Sequence, residues 1–250
     1  MTYDLNAAFD RAAHDDAVKV IVLAGADPHF SSGHDLRATT KDHAGTDFPP
    51  VFPWGGFDEP NAHGRFAREQ EIYLQMTRRW RNIPKPTIAE VQGRCMAGGL
   101  MLAWACDLIV ASDDAEFCDP VVGMGVCGVE WFVHPYEVGV RKAKEFLFTS
   151  DVWSAQEAHR LGMVNHVAPR AALKAYVQTL ADRIAGKPAF ALKMAKEAVN
   201  RSVDLMGQQH AIEHAFALHH LCHAHNLQEF GMIVDPSGLH PSVTKKPAAE

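Results

Sequence analysis

The chain has 250 residues, 47% of them hydrophobic and 22% charged, which is enough apolar material for one large domain with a sizeable core. The formal net charge is −6. The most basic stretch, residues 78–81, is predicted to be a solvated or interface face, so we expect no nucleic-acid partner.

No apolar run could span a bilayer, and no secretory signal opens the chain. Five cysteines without C-x-x-C spacing argue against a disulfide framework. We therefore expect a cytoplasmic protein with no membrane partner.

The first half of the chain alternates predicted helices and strands. Leu5, Phe9 and Ala12 share one face of an opening helix, and residues 18–24 form an apolar strand. Residues 38–64 are rich in Pro, Gly, Asp and His, which is typical of a long, mobile loop. A helix over 65–82 ends before two prolines. Further along we predict strands at 87–92, 108–112, 116–118 and 164–167, and a helix at 97–106.

After Gly139 the pattern becomes mostly helical. The predicted helices cover residues 140–149, 154–161, 170–185, 188–200 and 208–230. Residues 235–250 contain three prolines and are predicted to be a loose tail. Strands that alternate with helices, followed by a helical region, predict an α/β fold with crossover connections.

Two segments combine a glycine-rich turn with a strand and the start of a helix. They are FSSGHDL at 30–36 and GRCMAGGL at 93–100. Reactions at a thioester place negative charge on the carbonyl oxygen, and two convergent backbone N–H groups can stabilise that charge. Glycine permits the close approach that such binding requires. Either turn alone has the composition of an ordinary tight turn, but together they favour an oxyanion hole.

The order of these motifs resembles the crotonase (enoyl-CoA hydratase/isomerase) superfamily over about residues 5–228. The resemblance rests on VKVIVL at 18–23, FSSGHDL at 30–36, PKPTIAEVQG at 84–93, AGG at 97–99, ACDLIVAS at 105–112, GVRKAKEFLFT at 139–149, SAQEA at 154–158 and LGMVN at 161–165. It implies a spiral of ββα units over residues 1–185. It also implies a C-terminal helical trimerisation region and loose tail over 186–250, usually assembled as trimers or paired trimers.

The resemblance also assigns roles to individual residues. The oxyanion donors would be the N–H groups of His34 and Gly98. The acyl-coenzyme A would lie near Asp35 and Leu36, beside the predicted loop. Coenzyme A would arrive as part of the substrate, and no permanently bound cofactor is expected.

The sequence departs from the family pattern in two ways. The family's opening strands and hairpin are missing before the first helix, so either Met1 is not the natural start or the fold lacks those strands. The family's hydratases also carry two glutamates, and the matching positions here are Met101 and Val121. Neither side chain can transfer a proton, so water addition by a pair of carboxylates is not expected.

Other carboxylates offer a replacement. Glu130, in GMGVCGVEW at 123–131, occupies about the segment in which isomerases and a dehalogenase of the superfamily carry their working carboxylate. Flanking apolar residues would partly desolvate it, which suits general acid–base catalysis. Asp119 is a weaker candidate, and Glu130 could instead form an interface salt bridge. Glu90, in an apolar strand, is expected to be structural.

Histidines are concentrated late in the chain, at positions 210, 214, 219, 220, 223 and 225. His210 and His214 have the i,i+4 spacing of metal ligands, but without an H-E-x-x-H pattern we expect a solvated or trimer-facing surface and no metal. Two functions remain. One is an enzyme that isomerises a double bond, or hydrates it with one carboxylate. The other is a non-catalytic acyl-coenzyme A-binding protein that has lost both glutamates.

Overall fold

The computed structural model describes residues 1–35 and 48–239. A four-stranded parallel sheet has the order β1-β2-β4-β7, with β1 at Ile21–Ala24, β2 at Thr87–Val91, β4 at Leu108–Ser112 and β7 at His166–Ala168. A three-stranded sheet has the order β3-β5-β6, with β3 at Arg94–Met96, β5 at Glu116–Cys118 and β6 at Trp153–Ser154. The strands and helices form the predicted α/β fold with parallel pairing in the larger sheet.

Ten α-helices surround these sheets within the described ranges. They are α1 (Thr2–His14), α2 (Asn61–Glu69), α3 (Met76–Arg81), α4 (Gly98–Trp104), α5 (His134–Val138), α6 (Val140–Thr149), α7 (Ala155–Arg160), α8 (Leu173–Ala185), α9 (Ala189–Leu205) and α10 (Gln208–Phe230). A π-helical turn, Gln70–Gln75, joins α2 to α3. Such turns are rare and often occur at functional sites.

The parallel sheet is covered on both faces, because successive side chains of a strand point to opposite sides. From β2, Ile88 packs with Leu173 and Val177 of α8. Ala89 and Val91 face the main core, which also contains Phe216 of α10. Helix α10 therefore completes the core of the protomer. Helix α9 differs, because none of its residues is buried.

The basic segment at 78–81 is neutralised within the chain. Arg78 pairs with Glu213 at 3.0 Å, and Arg81 pairs with Asp204 at 3.0 Å. Arg81 is buried, so this part of the segment is not a solvated face. These ion pairs leave little unpaired positive charge in a stretch that composition alone marks as basic.

Some predicted boundaries differ from the structure. The helix predicted at 65–82 begins earlier, at Asn61, so the end of the predicted loop is helical. Residues 38–47 of that loop lie outside the described residues. The strands β3 and β6 were not predicted, since runs of three and two residues are too short to show a periodicity.

The predicted loose tail is ordered at its start. Residues Pro236–Gly238 form a 3₁₀ turn, and Leu239 is buried in the main core. A Cβ on Gly238 would overlap the carbonyl oxygen of Gly123, so the two segments are in close contact. The rest of the tail, 240–250, lies outside the described residues. Among the helices of the described ranges, none is both long and apolar enough to cross a membrane.

Candidate active site

The two glycine-rich turns lie against each other. Ser31 pairs with Cys95 in an isolated parallel bridge, and its carbonyl accepts a hydrogen bond from the N–H of Met96 at 3.0 Å. Gly33 has a φ of +93°, and a Cβ there would lie 3.1 Å from both the Met96 carbonyl and the Cβ of Ala97. Glycine is required because both the backbone conformation and the close approach disfavour a side chain. The first turn is therefore fixed directly against the start of α4.

The N–H groups of His34 and Gly98 are available at this junction. Gly98 is the first residue of α4, and the first N–H groups of a helix have no acceptor within it. Across residues 1–35 and 48–239, neither N–H donates a hydrogen bond to the protein. A Cβ on Gly33 would lie 3.5 Å from the Gly98 nitrogen, so the first turn reaches this amide. Ala97, just before it, holds a φ of 46°, which is rare for a residue with a side chain.

The imidazole of His34 occupies the space above Gly98 and connects the turn to the rest of the site. It stacks on Tyr73 with ring centroids 4.2 Å apart. Its Nδ1 lies 4.0 Å from Oε1 of Glu130. The sequence assigned only the N–H of His34 to the site, because nothing in the local pattern links this side chain to Glu130.

Glu130 is a buried carboxylate at the cavity, with 3% of the residue exposed. Besides the His34 contact, its Oε1 lies 3.7 Å from Nε2 of His219. Its Oε2 is buried and has no hydrogen-bond partner among the described residues. Burial, together with the charges of Glu130 and Glu69, raises the pKa of Tyr73 well above its ordinary value. Glu130 is thus desolvated and close to two imidazoles, and one of its oxygens has no hydrogen-bond partner among the described residues.

The cavity itself holds about 50 Å³. Its walls include His34, Tyr73, Val121, Glu130 and His219. It therefore brings together the side chain of one predicted oxyanion residue and the predicted acid–base residue. Val121 contributes only an apolar wall to it, and Met101, at the other glutamate position, is buried in the core.

Asp119, the weaker carboxylate candidate, is fully buried and fully engaged. It accepts hydrogen bonds from the N–H groups of Val121 and Val129, and its Oδ2 lies 2.8 Å from Nε2 of His134. These contacts fix the loop that carries Glu130. Asp119 is therefore placed to position the site and is not among the residues that line the cavity.

Three more polar residues line or adjoin the cavity. Glu69, at the end of α2, and His219 and His223, on α10, are each at most 5% exposed. The expectation of a solvated or trimer-facing surface is therefore wrong for these two histidines. Burial acts to raise the pKa of Glu69, but His220, His223 and His219 together lower it to about 2. Burial and the neighbouring His219 lower the pKa of His223 to about 4.

The remaining predicted residues are further from this chemistry. Glu90 lies on β2 and is half-buried, and burial raises its pKa against the opposing effect of Lys174. It lines a separate cleft beside α8, and its structural role stays a prediction. Asp35 is exposed at the end of the first described range. Leu36, predicted with it to contact coenzyme A, lies outside the described residues.

The chain is similar to known proteins of one family. The family model for enoyl-CoA hydratase/isomerase matches residues 49–234. A Mycobacterium tuberculosis protein named "Putative enoyl-CoA hydratase EchA13" is 46% identical over 230 residues, covering 90% of this chain and 72% of the relative. The 4-chlorobenzoyl coenzyme A dehalogenase-1 of an Arthrobacter species is 32% identical, covering 72% of this chain and 61% of the relative.

Solved structures agree with these sequence matches. A "probable enoyl-CoA hydratase" from Mycobacterium smegmatis superimposes with a TM-score of 0.83 at 45% identity, covering 93% of this chain and 87% of the other. An enoyl-CoA hydratase/isomerase from Xanthobacter autotrophicus superimposes with a TM-score of 0.77 at 31% identity, covering 95% and 80%. The similarity therefore extends over nearly the whole described fold, and the predicted crotonase-like fold is confirmed.

Proposed function

Because the chain belongs to the enoyl-CoA hydratase/isomerase family, we propose that it processes an acyl-coenzyme A thioester with a single working carboxylate. The thioester carbonyl oxygen accepts hydrogen bonds from the N–H groups of His34 and Gly98. Glu130 is the acid–base residue. The observation that carries this proposal is that Glu130 and the His34 turn meet at one cavity, with the Glu130 carboxylate 4.0 Å from the imidazole of His34.

The chemistry follows from the charge that develops at the carbonyl. When Glu130 removes a proton from the α carbon of a 3-enoyl thioester, negative charge moves to the carbonyl oxygen. The two N–H groups stabilise this dienolate, and one such donor is typically worth about 3 kcal/mol of barrier. The protonated Glu130 then returns the proton to the γ carbon, which gives the 2-enoyl isomer. The same carboxylate both removes and returns the proton, so no second acid is needed.

The absence of a carboxylate at the two other positions supports isomerisation over hydration. Water addition by the paired route needs one carboxylate to activate water and a second acid to protonate carbon. Met101 and Val121 provide neither, and Asp119 already accepts three contacts from the protein. Hydration would therefore depend on Glu130 alone, and we place it second to isomerisation.

The coenzyme A portion of the substrate belongs to the exposed end of the first turn. We assign it to Asp35, which is exposed, and to Leu36, which follows it in the sequence. The proton transfer by Glu130 needs no permanently bound organic cofactor. The five cysteines are free thiols, which fits a reducing cytoplasm and supports a cytoplasmic location.

Assembly as a homotrimer or a pair of trimers is part of the proposal. Helix α9 has no buried residue in the protomer, yet it exposes Phe190, Leu205 and, just after its end, Met206, each more than 70% accessible. Exposed apolar side chains along a helix that buries nothing in the protomer support the proposal that a second copy of the chain covers this helix. We retain the division into a core at 1–185 and an assembly region at 186–250, with α10 also serving the core.

The test compares the wild-type protein with Glu130→Gln on a panel of 2-enoyl- and 3-enoyl-coenzyme A esters. We expect the wild type to interconvert 3-enoyl and 2-enoyl esters. We expect Glu130→Gln to lose about 10²–10⁴-fold in kcat, since proton transfer by a positioned side chain contributes about that factor. Glu229→Gln, an exposed glutamate at the end of α10, is the matched control and should retain the wild-type rate.

Calorimetric titration with a saturated acyl-coenzyme A separates the remaining outcomes. A wild type that binds the ester but turns over none of the panel would establish the alternative, a non-catalytic acyl-coenzyme A-binding protein. A Glu130→Gln variant at full rate would reject Glu130 as the acid–base residue. A wild type that fails to bind any ester would reject the whole proposal.

A further inference from the structure

Three buried atoms with lone pairs converge beside Glu130. Nε2 of His219 lies 2.9 Å from Nε2 of His223. Oε2 of Glu69 lies 4.0 Å from the first nitrogen and 3.8 Å from the second. This oxygen is buried, and it also lies 3.1 Å from Nε2 of His220. The three ligand atoms all lie within 4.8 Å of one another.

The other nitrogen of each ring fixes the tautomer. Nδ1 of His219 lies 2.9 Å from the carbonyl oxygen of Gly128, and Nδ1 of His223 lies 2.7 Å from that of Ile233. A carbonyl can only accept a hydrogen bond, so each Nδ1 carries the proton. In neutral rings both Nε2 atoms then present lone pairs to each other and to a carboxylate. A cation between them removes this repulsion.

The pattern of contacts is that of a metal site. Histidines that bind metals usually donate their other N–H to a carbonyl or carboxylate, which orients the ring. Here both rings do so, and His220, with its Nε2 3.1 Å from Oε2 of Glu69, is placed to orient the carboxylate. The i,i+4 spacing of His219 and His223 puts both on one face of α10. Glu69 faces them from the end of α2.

The distances also fit a small divalent ion. Ligand atoms around a tetrahedral Zn²⁺, each at about 2.0–2.2 Å from the metal, lie roughly 3.3 Å apart. The three distances between the proposed ligand atoms are 2.9, 3.8 and 4.0 Å, which lie on either side of this spacing. Two histidines and one glutamate are a known catalytic zinc ligand set, in which the fourth position is open to water or substrate.

We propose that Glu69, His219 and His223 bind one divalent transition-metal ion, with Zn²⁺ the best match, in the wall of the active-site cavity. Glu130 adjoins this cluster, since its Oε1 lies 3.7 Å from Nε2 of His219. A metal-bound water there would have a lowered pKa and would stand next to the proposed acid–base residue. The two histidines of the site lie on the same helix as His210 and His214, the pair considered from the sequence, and its glutamate comes from α2.

The proposal is tested by titrating chelator-treated full-length protein with Zn²⁺ by calorimetry, with no thioester present. We expect one Zn²⁺ per chain, and retention of about one equivalent after dialysis by elemental analysis. Co²⁺ in place of Zn²⁺ should give the intense visible absorption of a four-coordinate site. His223→Ala and Glu69→Gln should each weaken Zn²⁺ binding by about a hundredfold or more. The exposed His210→Ala, on the same helix, should bind like the wild type.

Each result of the Zn²⁺ titration either supports or overturns the proposed metal site. A wild type that binds no stoichiometric Zn²⁺ overturns the proposal, and the histidine pair then shares a proton. Equal binding by wild type and His223→Ala also overturns it, since the ion would then sit on surface histidines. Circular dichroism and a second substitution, His223→Gln, separate loss of a ligand from loss of the fold. Because no thioester is present, the result is independent of the turnover test for Glu130.

Discussion

Gly98 lies beneath the imidazole of His34, so that a Cβ added at position 98 would meet Cδ2 and Nε2 of that ring at 2.7 Å. The two residues assigned to the oxyanion hole are therefore in direct contact. The ring of one residue covers the Cα of the other, which fixes the relative position of their N–H groups. Any side chain at position 98 must push the His34 turn away.

Gly98→Ala should therefore impair catalysis more than folding. Displacing His34 separates the two N–H donors, and loss of one oxyanion donor typically costs about 10²–10³ in kcat. We expect a fall of about a hundredfold in kcat/KM with 3-enoyl-coenzyme A esters. The melting temperature of the variant, measured in parallel, should change little.

Gly123→Ala is the matched control, because a Cβ at that position meets no atom within 4 Å. It should retain the wild-type rate. If Gly98→Ala is as active as the wild type, the two amides do not hold the thioester carbonyl.

Asp119→Ala should reduce stability, in contrast to Glu130→Gln. Asp119 accepts hydrogen bonds from two backbone N–H groups and contacts His134, all of them buried. Leaving such partners unsatisfied costs about 2–4 kcal/mol of unfolding free energy. Urea unfolding of both variants measures this difference, with the exposed Asp16→Ala as control. An Asp119→Ala variant of normal stability that has lost turnover would instead make Asp119 the acid–base residue.

The turns of the site could be predicted from the sequence because their signals are local. Gly33 and Gly98 occupy positions where backbone conformation or close approach excludes a side chain, and such requirements are visible in a short motif. Glu130 was predicted because the family resemblance puts a working carboxylate in about its segment, and its apolar neighbours would desolvate it. The strands around these turns follow from runs of apolar residues, with boundaries that differ by a few positions.

The cluster around Glu69 could not be predicted in this way. Helical spacing puts His219 and His223 on one face of α10, but periodicity cannot say that this polar face turns inward. That depends on the π-helical turn after Glu69 and on packing between segments far apart in the sequence. The contact of His34 with Glu130 has the same origin, since neither local motif contains the other.

Glu137 should make the protein less stable as the pH rises. Burial raises its pKa to about 7, although the positive charge of Arg81 acts in the opposite direction. In the unfolded chain this glutamate ionises near its ordinary value, so the folded state binds more protons between about pH 4.5 and 7. Its contribution to unfolding free energy therefore falls as the pH rises through this window.

Glu137→Gln should remove that dependence. The variant is expected to be more stable than the wild type at pH 8, with a smaller difference or none at pH 4.5, as measured by urea unfolding at both values. Glu229→Gln, with its side chain exposed, should follow the wild type at each pH. An equal gain at both pH values would show that the ionisation of Glu137 is not responsible.

Phe190→Asp should weaken assembly of the protein. Phe190 lies at the start of α9 and is 73% exposed in the protomer, on a helix with no buried residue. If this face is covered by a second copy of the chain, a charge there must be desolvated without a partner, which costs several kcal/mol. Light scattering during gel filtration should show a trimer or hexamer for the wild type and a smaller species for the variant. Val140→Asp alters an exposed apolar residue on α6 and should keep the larger mass. A Phe190→Asp variant with the mass of the wild type would exclude this face of α9 from the interface.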